Sequence, residues 1–201
     1  MFVIGITGPS GAGKGAVSGF LISKNVNVID ADVVYHDVIS PPSDCLDELV
    51  THFGRQILDG SGALDRVELA KLVFGEENRE RLGLLNKVTH KYVVARIREQ
   101  VKEYALAGAE ACAIDAPLLI EAGLTSDCNL TIAVLADKQI RAERIARRDR
   151  IDMSSAMARI NSQKPDEYYV QGSDKVLFNN GDLDELYEQL EKVLTDGGAK
   201  L

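Results

Sequence analysis

A glycine-rich loop between an apolar strand and a helix constrains the fold of this chain more than any other feature of its sequence. Phe2-Val-Ile-Gly-Ile-Thr7 is a short β-rich segment, and Gly8-Pro-Ser-Gly-Ala-Gly-Lys-Gly15 follows it directly. This loop matches the pattern G-x-x-x-x-G-K and precedes a helical pattern that begins at Ala16. Glycines let the backbone approach a phosphate chain, and backbone N–H groups at a helix N-terminus favour negative charge. The loop therefore predicts a nucleotide site in which Lys14 contacts the β- and γ-phosphates.

Short apolar segments alternate with helical patterns along the chain, which indicates βαβ units and a parallel sheet. We expect an α/β protein with the P-loop kinase fold: a five-stranded parallel sheet flanked by helices, with ligands at the carboxyl ends of its strands. The helical pattern of residues 33–53 is interrupted at Pro41-Pro42, and further helical patterns cover 65–107, 138–161 and 182–194. The predicted strands are 2–7, 26–29, 111–114, 130–135 and 175–178.

The length of 201 residues suits one domain with small insertions. We predict a single P-loop kinase domain that carries a helical insertion for the acceptor and a helical lid. The predicted core is 1–57, 111–137 and 166–201, the insertion is 58–110, and the lid is 138–165.

Composition excludes several classes of function. The net charge of −8 disfavours general nucleic-acid binding, which needs a dominant basic surface. Cys45, Cys112 and Cys128 match neither a zinc spacing nor a disulfide framework, which is typical of reduced thiols in a cytoplasmic protein. The sequence shows no signal peptide and no membrane-spanning segment, so we expect small-molecule substrates and a cytoplasmic location.

Two carboxylates follow the second predicted strand, at Asp30 and Asp32. Alternation along the end of this strand places both side chains on one side of the chain, with Ala31 opposite. An aspartate there can orient an acceptor hydroxyl and accept its proton. The structural alternative is an N-cap, because Asp32 precedes the apolar pair Val33-Val34.

The phosphate loop departs from the usual pattern where a hydroxyl commonly binds Mg²⁺. Gly15 and Ala16 follow Lys14, and neither has a hydroxyl group. Mg²⁺ takes few protein ligands and keeps several waters, so the nucleotide phosphates and water can supply most of its coordination. The protein ligand stays undetermined, and the candidates are Asp32, Asp115 and Ser10.

Five arginines lie close together in the predicted lid, at 141, 144, 147, 148 and 150. Arg141, Arg144 and Arg148 share one helical face. Such a lid can close over phosphates and offset the charge of the transition state. The alternative is a solvated charged face. We expect Arg144 and Arg148 to point inward and the others to be mostly solvated.

Taken in order, these segments resemble the dephospho-coenzyme A kinase family over nearly the whole chain. The chain departs from the family pattern at two positions: His36, where the family often has Arg, and Lys91, where it has Pro. The matching segments are the loop, 28–32, 53–54, 57–58, 62–66, 69–70, 73–74, Leu85-Asn86 with His90, 117–121, Gln139 with Arg144 and Arg147, Ile160 with Gln163, and 176–181.

The resemblance implies ATP-dependent phosphorylation of the ribose 3′-hydroxyl of dephospho-coenzyme A, the last step of coenzyme A synthesis, with Mg²⁺ bound to ATP. It implies that Asp32 lies near the acceptor hydroxyl. With the loop lysine and the lid arginine, the predicted catalytic residues are Asp32, Lys14 and Arg144. The nucleotide would contact Gly11, Ala12, Gly13, Lys14, Gly15, Ala16, Arg148 and Asn180. The acceptor would contact Asp32, Arg66, His90, Pro117 and Leu118.

Three alternatives remain open from the sequence. The loop also resembles that of nucleoside-monophosphate kinases, in particular one for cytidylate. A regulatory GTPase would need an N-K-x-D segment, whereas Asn86-Lys87-Val88-Thr89 has no aspartate and lies in a helical pattern. Because the loop hydroxyl is missing, the third alternative is a family member that binds ATP without turning it over.

Overall fold

Five parallel strands form a sheet in the order β2-β3-β1-β4-β5 in the computed structural model, which describes residues 1–199 apart from the side chain of Glu76. The predicted fold class is confirmed, and three of the strands have the predicted bounds. The second strand begins one residue later than predicted, and the third extends to Asp115. The strands are β1 (Phe2–Thr7), β2 (Asn27–Asp30), β3 (Ala111–Asp115), β4 (Leu130–Leu135) and β5 (Lys175–Phe178).

Helices connect and cover these strands. They are α1 (Lys14–Ser23), α2 (Ala31–Val38), α3 (Asp44–Phe53), α4 (Arg66–Val73), α5 (Arg79–Leu106), α6 (Lys138–Asp149), α7 (Met153–Asn161), α8 (Asp166–Gln171) and α9 (Leu183–Asp196). Short 3-10 turns lie at Arg55–Ile57, Glu76–Asn78 and Leu124–Asp127. No helix of the described residues is long and apolar enough to cross a bilayer.

Two long helical patterns of the sequence are each divided in the structure. Residues 65–107 form α4 and α5, separated at Gly75, whose φ of 113° interrupts a right-handed helix. Residues 138–161 form α6 and α7, because Arg150 takes the left-handed conformation with φ 55° and Asp152 caps α7 by accepting a hydrogen bond from the Ser155 N–H. The interruption of 33–53 at Pro41-Pro42 is confirmed.

The chain divides into two compact units. The first contains residues 1–30 and the part of the chain after residue 100, and the second contains Ala31–Gln100. The predicted insertion, 58–110, shares residues 58–100 with the second unit but begins later. The division into core, insertion and lid stays a prediction.

In the first unit, α1 and α9 cover one face of the sheet. Apolar side chains of β1, β4 and β5 pack against these helices in a cluster that includes Ile6, Ile132, Leu177, Leu21 and Leu190, each fully buried. Burying a Leu or Ile side chain contributes about 1.5–3 kcal/mol relative to leaving it exposed. This packing against α1 and α9 therefore holds the strands, and with them the residues at their ends, in fixed positions.

The second unit is helical and has a separate core. Its buried side chains come from α3, α4, α5 and the segments between them, and include Leu49, Ile57, Leu69, Val73 and Val88. The α2 helix contributes fewer buried residues, with Val34 the buried member of its described side chains. Asp32, Val33, His36 and Asp37 of this helix are exposed.

Candidate active site

The glycine-rich loop connects the end of β1 at Thr7 to the start of α1 at Lys14. Two glycines make this connection possible. A Cβ atom on Gly8 would lie 2.2 Å from the backbone oxygen of Val134, and one on Gly13 would lie 2.0 Å from Nδ2 of Asn179. Both residues also have positive φ angles, 137° and 108°. The loop can therefore approach its neighbours closely only with glycine at these positions.

Side chains from distant parts of the first unit hold the loop in place. The buried Asn179, directly after β5, donates from Nδ2 to the Ala12 carbonyl at 2.8 Å. Arg144 of α6 donates to the carbonyl oxygens of Gly11 and Ala12 at 3.4 and 3.5 Å, and to Oδ1 of Asn179 at 3.3 Å. These bonds fix the shape of the loop. The inward position predicted for Arg144 is confirmed.

Arg141 is the more deeply buried arginine of α6, with 1% of its surface exposed. Its guanidinium donates to the Ser10 carbonyl at 3.1 Å, to Oε1 of Gln163 at 2.8 Å and to the Asp166 carboxylate at 3.2 Å. Burial lowers the pKa of Arg141, and the charge of Asp166 opposes this shift. The expectation that Arg141 is mostly solvated is wrong, because these acceptors satisfy its charge inside the protein.

Arg148 does not point inward, contrary to the prediction. Its side chain is exposed and donates to both carboxylate oxygens of Asp149, at 2.7 and 3.0 Å. Arg159 contacts the same carboxylate, and these bonds lower the pKa of Asp149. The adjacent carboxylate thus holds Arg148 at the surface. Its role in ATP binding stays a prediction.

Asn180, predicted to contact ATP, is exposed and is bonded to Asp137 just before α6. Its Oδ1 accepts from the Asp137 N–H at 2.8 Å, and its Nδ2 donates to Oδ1 of Asp137 at 2.9 Å. The neighbouring Asn179 makes the contact with the phosphate loop. From the sequence, Asn179 and Asn180 were both candidates at the end of this strand, but the ATP contact was predicted for Asn180.

The start of α1 lies beside the carboxyl end of β3. Lys14 Nζ donates to the Gly8 carbonyl at 2.9 Å. Ser18, one helical turn further on, donates from Oγ to Oδ2 of Asp115 at 2.6 Å. Asp115 pairs with Asp30 across β2 and β3, so two carboxylates lie next to each other at this edge of the sheet. The sequence analysis missed Ser18.

Pro117 and Leu118, which were predicted to contact the acceptor, follow β3. The carbonyl of Pro117 accepts from the Thr7 hydroxyl at 3.3 Å, and Leu118 is 46% exposed. They therefore lie just beyond the carboxyl edge of the sheet, with an exposed apolar side chain available for a ligand.

In the helical unit, Asp32 lies in the first turn of α2 and is exposed. The expectation that Asp30 and Asp32 alternate along one strand is wrong, because β2 ends at Asp30 and Ala31 begins the helix. Asp32 is also inside the helix and is not its N-cap. A carboxylate in the first turn is stabilised by the positive end of the helix dipole, which explains this position.

His36 follows Asp32 by one helical turn, so both lie along one side of α2. The Nδ1 atom of His36 contacts Nη2 of Arg66, the first residue of α4, whose N-terminus is capped by Asp65. His90 lies in α5 and is half-buried. Next to it, Lys91 donates to the Glu48 carboxylate at 2.6 Å. Among the residues predicted for the acceptor, the structure thus joins Arg66 to the α2 helix.

The three cysteines are free thiols. Burial raises the pKa of Cys45 and of Cys112 to about 11 and that of Cys128 to about 12. The thiolate fraction at neutral pH is therefore very small, and a nucleophilic role for these residues is disfavoured.

Comparisons with known proteins give a consistent result. The model of the family described as dephospho-CoA kinase matches residues 2–185. A dephospho-CoA kinase of Carboxydothermus hydrogenoformans is 35% identical over 192 residues, which cover 96% of this chain and 92% of that protein. One of Saccharomyces cerevisiae is 35% identical over 199 residues, with 96% and 82% of the two chains covered.

Solved structures agree with these relatives. The crystal structure of TT1252 from Thermus thermophilus has a TM-score of 0.79, is 31% identical and covers 97% of each chain. A dephospho-CoA kinase from Campylobacter jejuni has a TM-score of 0.70 at 23% identity, with 96% of each chain covered. The latter likeness shows the fold alone.

Proposed function

The chain belongs to the dephospho-CoA kinase family, and we propose that it transfers the γ-phosphoryl group of ATP to the ribose 3′-hydroxyl of dephospho-coenzyme A. Phosphorylation of dephospho-coenzyme A in coenzyme A biosynthesis is the activity of this family, and the cytoplasmic location expected from the sequence fits it. The observation that carries the assignment of the site is the glycine loop, which is fixed by Asn179 and Arg144 at the carboxyl edge of a parallel sheet. The cytidylate-kinase and nucleotide-switch alternatives are not favoured by these comparisons.

On the nucleotide side, we assign the phosphates to the loop. Gly11 to Gly13 and the first residues of α1, Lys14, Gly15 and Ala16, lie at a helix N-terminus, where negative charge is favoured. The N–H groups of Ala12 and Ala16 already donate to the carbonyls of Pro9 and Gly13. Lys14 and Arg144 are two cations of this region, and both contact loop carbonyls, as the buried Arg141 also does. In the proposed reaction they offset the charge that builds on the transferring group. Arg148 and Asn180 are predicted to contact the rest of the nucleotide.

A magnesium ion fits the chemistry of this edge of the sheet. The side chains at the end of β2 and β3, Asp30 and Asp115, and the Ser18 hydroxyl are hard oxygen donors of the kind that Mg²⁺ prefers. No group of three or more His, Cys, Asp or Glu side chains suited to a metal occurs among the described residues. Asp30 and Asp115 would hold a Mg²⁺ ion that is bound with ATP, and the ion would supply positive charge that offsets part of the phosphate charge.

On the acceptor side, we propose that Asp32 orients the 3′-hydroxyl and accepts its proton. The exposed carboxylate is two residues beyond the carboxyl end of β2, the edge at which ligands of such sheets bind. His36 lies one turn after Asp32 in α2, and its ring contacts the exposed Arg66 of α4. We propose that this pair binds the anionic diphosphate of the acceptor. His90, Pro117 and Leu118 are proposed to contact other parts of the same molecule.

The roles proposed for these residues describe an in-line transfer. Asp32 holds the acceptor oxygen and takes up its proton, so that oxygen can approach the γ-phosphorus opposite the leaving oxygen of ADP. The rigid loop keeps the phosphate chain in place, and Lys14 and Arg144 offset the charge. Phosphoryl transfer needs little covalent chemistry from a protein, and positioning of this kind supplies most of the catalysis.

The test is ADP release from Mg-ATP by the purified protein with dephospho-coenzyme A, with cytidine monophosphate, or without an acceptor. We expect turnover with dephospho-coenzyme A alone, and a product whose new phosphate is on the 3′-oxygen by phosphorus NMR. Turnover with the cytidylate would show that the loop, but not the acceptor side, is assigned correctly. ATP binding without turnover on any acceptor would support the catalytically silent alternative.

A further inference from the structure

The helix that begins at Lys14 carries its first hydroxyl group in an unusual place. Positions 15 and 16, where a phosphate loop commonly supplies a hydroxyl to Mg²⁺, are glycine and alanine. The first hydroxyl of α1 belongs to Ser18, which is 8% exposed. Its Oγ is 2.6 Å from Oδ2 of Asp115, a distance typical of a strong hydrogen bond to a carboxylate.

The position of this pair follows from the fold. Ser18 is four residues after Lys14, so both side chains lie on one side of α1. Asp115 is the last residue of β3, which pairs with β1 on one side and with β2 on the other, opposite Ile6 and Asp30 respectively. The Asp115 carboxylate is thereby held at the edge of the sheet where the phosphate loop also lies.

We propose that Ser18 and Asp115 together replace the missing loop hydroxyl: Ser18 fixes the Asp115 carboxylate, and Asp115 anchors the hydrated Mg²⁺ of Mg-ATP. This inference rests on the function proposed above. Mg²⁺ takes one or two carboxylates and keeps several waters, so one oriented carboxylate is a sufficient protein ligand. Ser18 is a positioning residue that acts through Asp115. Mutation of a group that orients a metal ligand commonly lowers metal affinity 10–100-fold.

The chain also offers a way to restore the usual arrangement. A Cβ atom on Gly15 would meet no atom within 4 Å, and Gly15 does not require a positive φ angle. A serine at position 15 can therefore be accommodated and would present a hydroxyl directly after Lys14. If the Ser18–Asp115 pair replaces that hydroxyl, Gly15→Ser should compensate for the loss of Ser18.

The experiment compares the wild type with Ser18→Ala, with Gly15→Ser and with the double variant. Mn²⁺ affinity is measured by electron paramagnetic resonance on the complex with a non-hydrolysable ATP analogue, and affinity for the analogue is measured separately without metal. We expect Ser18→Ala to weaken Mn²⁺ binding about tenfold and to leave metal-free binding of the analogue within about twofold. The double variant should recover most of the Mn²⁺ affinity. Half-saturating Mg²⁺ in the turnover assay should change in parallel.

A matched control is Ser23→Ala. Ser23 lies at the end of the same helix and donates to the Phe20 carbonyl at 2.7 Å, so the variant removes an equivalent hydroxyl far from the loop. We expect it to bind Mn²⁺ as the wild type does. Asp115→Asn provides a second test if Ser18→Ala does not fold, because it keeps an oxygen for the Ser18 hydroxyl while removing the charge; it should weaken Mn²⁺ binding at least as much.

Unchanged Mn²⁺ affinity in a folded Ser18→Ala or Asp115→Asn protein would overturn the proposal. So would an equal loss of metal-free analogue binding, which would indicate a role in shaping the loop, or a double variant no better than Ser18→Ala. A wild type that binds Mn²⁺ with the analogue but does not phosphorylate dephospho-coenzyme A would contradict the proposed function alone, because the metal comparison does not depend on turnover.

Discussion

The phosphate loop and the α2 helix differ in how their functional groups are held. Around the loop, Arg141 and Asn179 are almost completely buried and bonded to the loop backbone. In the helical unit, Asp32, His36 and Arg66 are exposed. The proposed nucleotide side is therefore built into the core of its unit, whereas the proposed acceptor side consists of surface side chains.

Because of this difference, substitutions in the two regions should affect different properties of the protein. A buried polar group that loses its partner destabilises the fold, because its desolvation is no longer offset. An exposed charge contributes little to stability, so its removal should mainly change the affinity for a ligand. Variants of the first unit should thus change stability or the chemical step, and variants of the second should change acceptor use.

The largest effect is expected for Lys14→Ala. The variant removes the loop cation that contacts the Gly8 carbonyl, and turnover should fall by about 10³-fold because charge on the transferring group is no longer offset. The measurement is steady-state ADP release. Lys24→Ala is the control, since Lys24 follows the same helix and pairs with Glu191 on the surface. Near-normal turnover of Lys14→Ala would show that the loop is not the site of transfer.

The second effect is expected for Asp32→Asn, which preserves shape but removes the group proposed to accept the proton. We expect kcat to fall by about 10²-fold while ATP affinity stays within about twofold. Asp37→Asn, at another exposed carboxylate of α2, should leave both quantities unchanged. A proportional loss of ATP affinity would instead assign Asp32 to metal binding or to structure, and the contrast between the two sides would be lost.

The third prediction compares the free energies of unfolding of two variants, one at a buried and one at an exposed arginine of α6. Arg141→Ala removes the side-chain donor to the Ser10 carbonyl and one of two donors to Gln163 Oε1, so the free energy of unfolding should fall by about 2 kcal/mol. Arg147→Ala, at an exposed position of the same helix, should change it by less than about 0.5 kcal/mol. Urea unfolding followed by circular dichroism measures both. Equal effects would mean that the loop is not held by its buried contacts.

The sequence predicted the sheet and the phosphate loop because their signals are local: apolar segments of strand length and a glycine pattern between a strand and a helix. It did not predict which arginine of α6 is buried. Helical spacing groups Arg141, Arg144 and Arg148 on one face, but burial of Arg141 depends on Asp166, which is distant in the sequence. Arg148 instead pairs with the adjacent Asp149 at the surface.

Short-range geometry explains the remaining differences. The α8 helix has six residues, too few to show a helical period, and it was not predicted. The left-handed turn at Arg150 has no glycine to mark it. The assignment of Asp32 to an extended segment was wrong because an aspartate suits a helix N-cap at either position 30 or position 32, and the helix begins after the first of them.

The smallest effect is expected for Arg66→Ala. This exposed arginine contacts His36, and removing it should raise KM for dephospho-coenzyme A about tenfold, since a hydrogen bond to a charged group contributes about 1.5–3 kcal/mol, while stability and KM for ATP stay nearly constant. The difference should shrink in high salt, because exposed charges are screened. Arg55→Ala, at another exposed arginine of the helical unit, is the control. An equal rise in KM for ATP would place Arg66 on the nucleotide side, and no change in either constant would make it an ordinary solvated residue of α4.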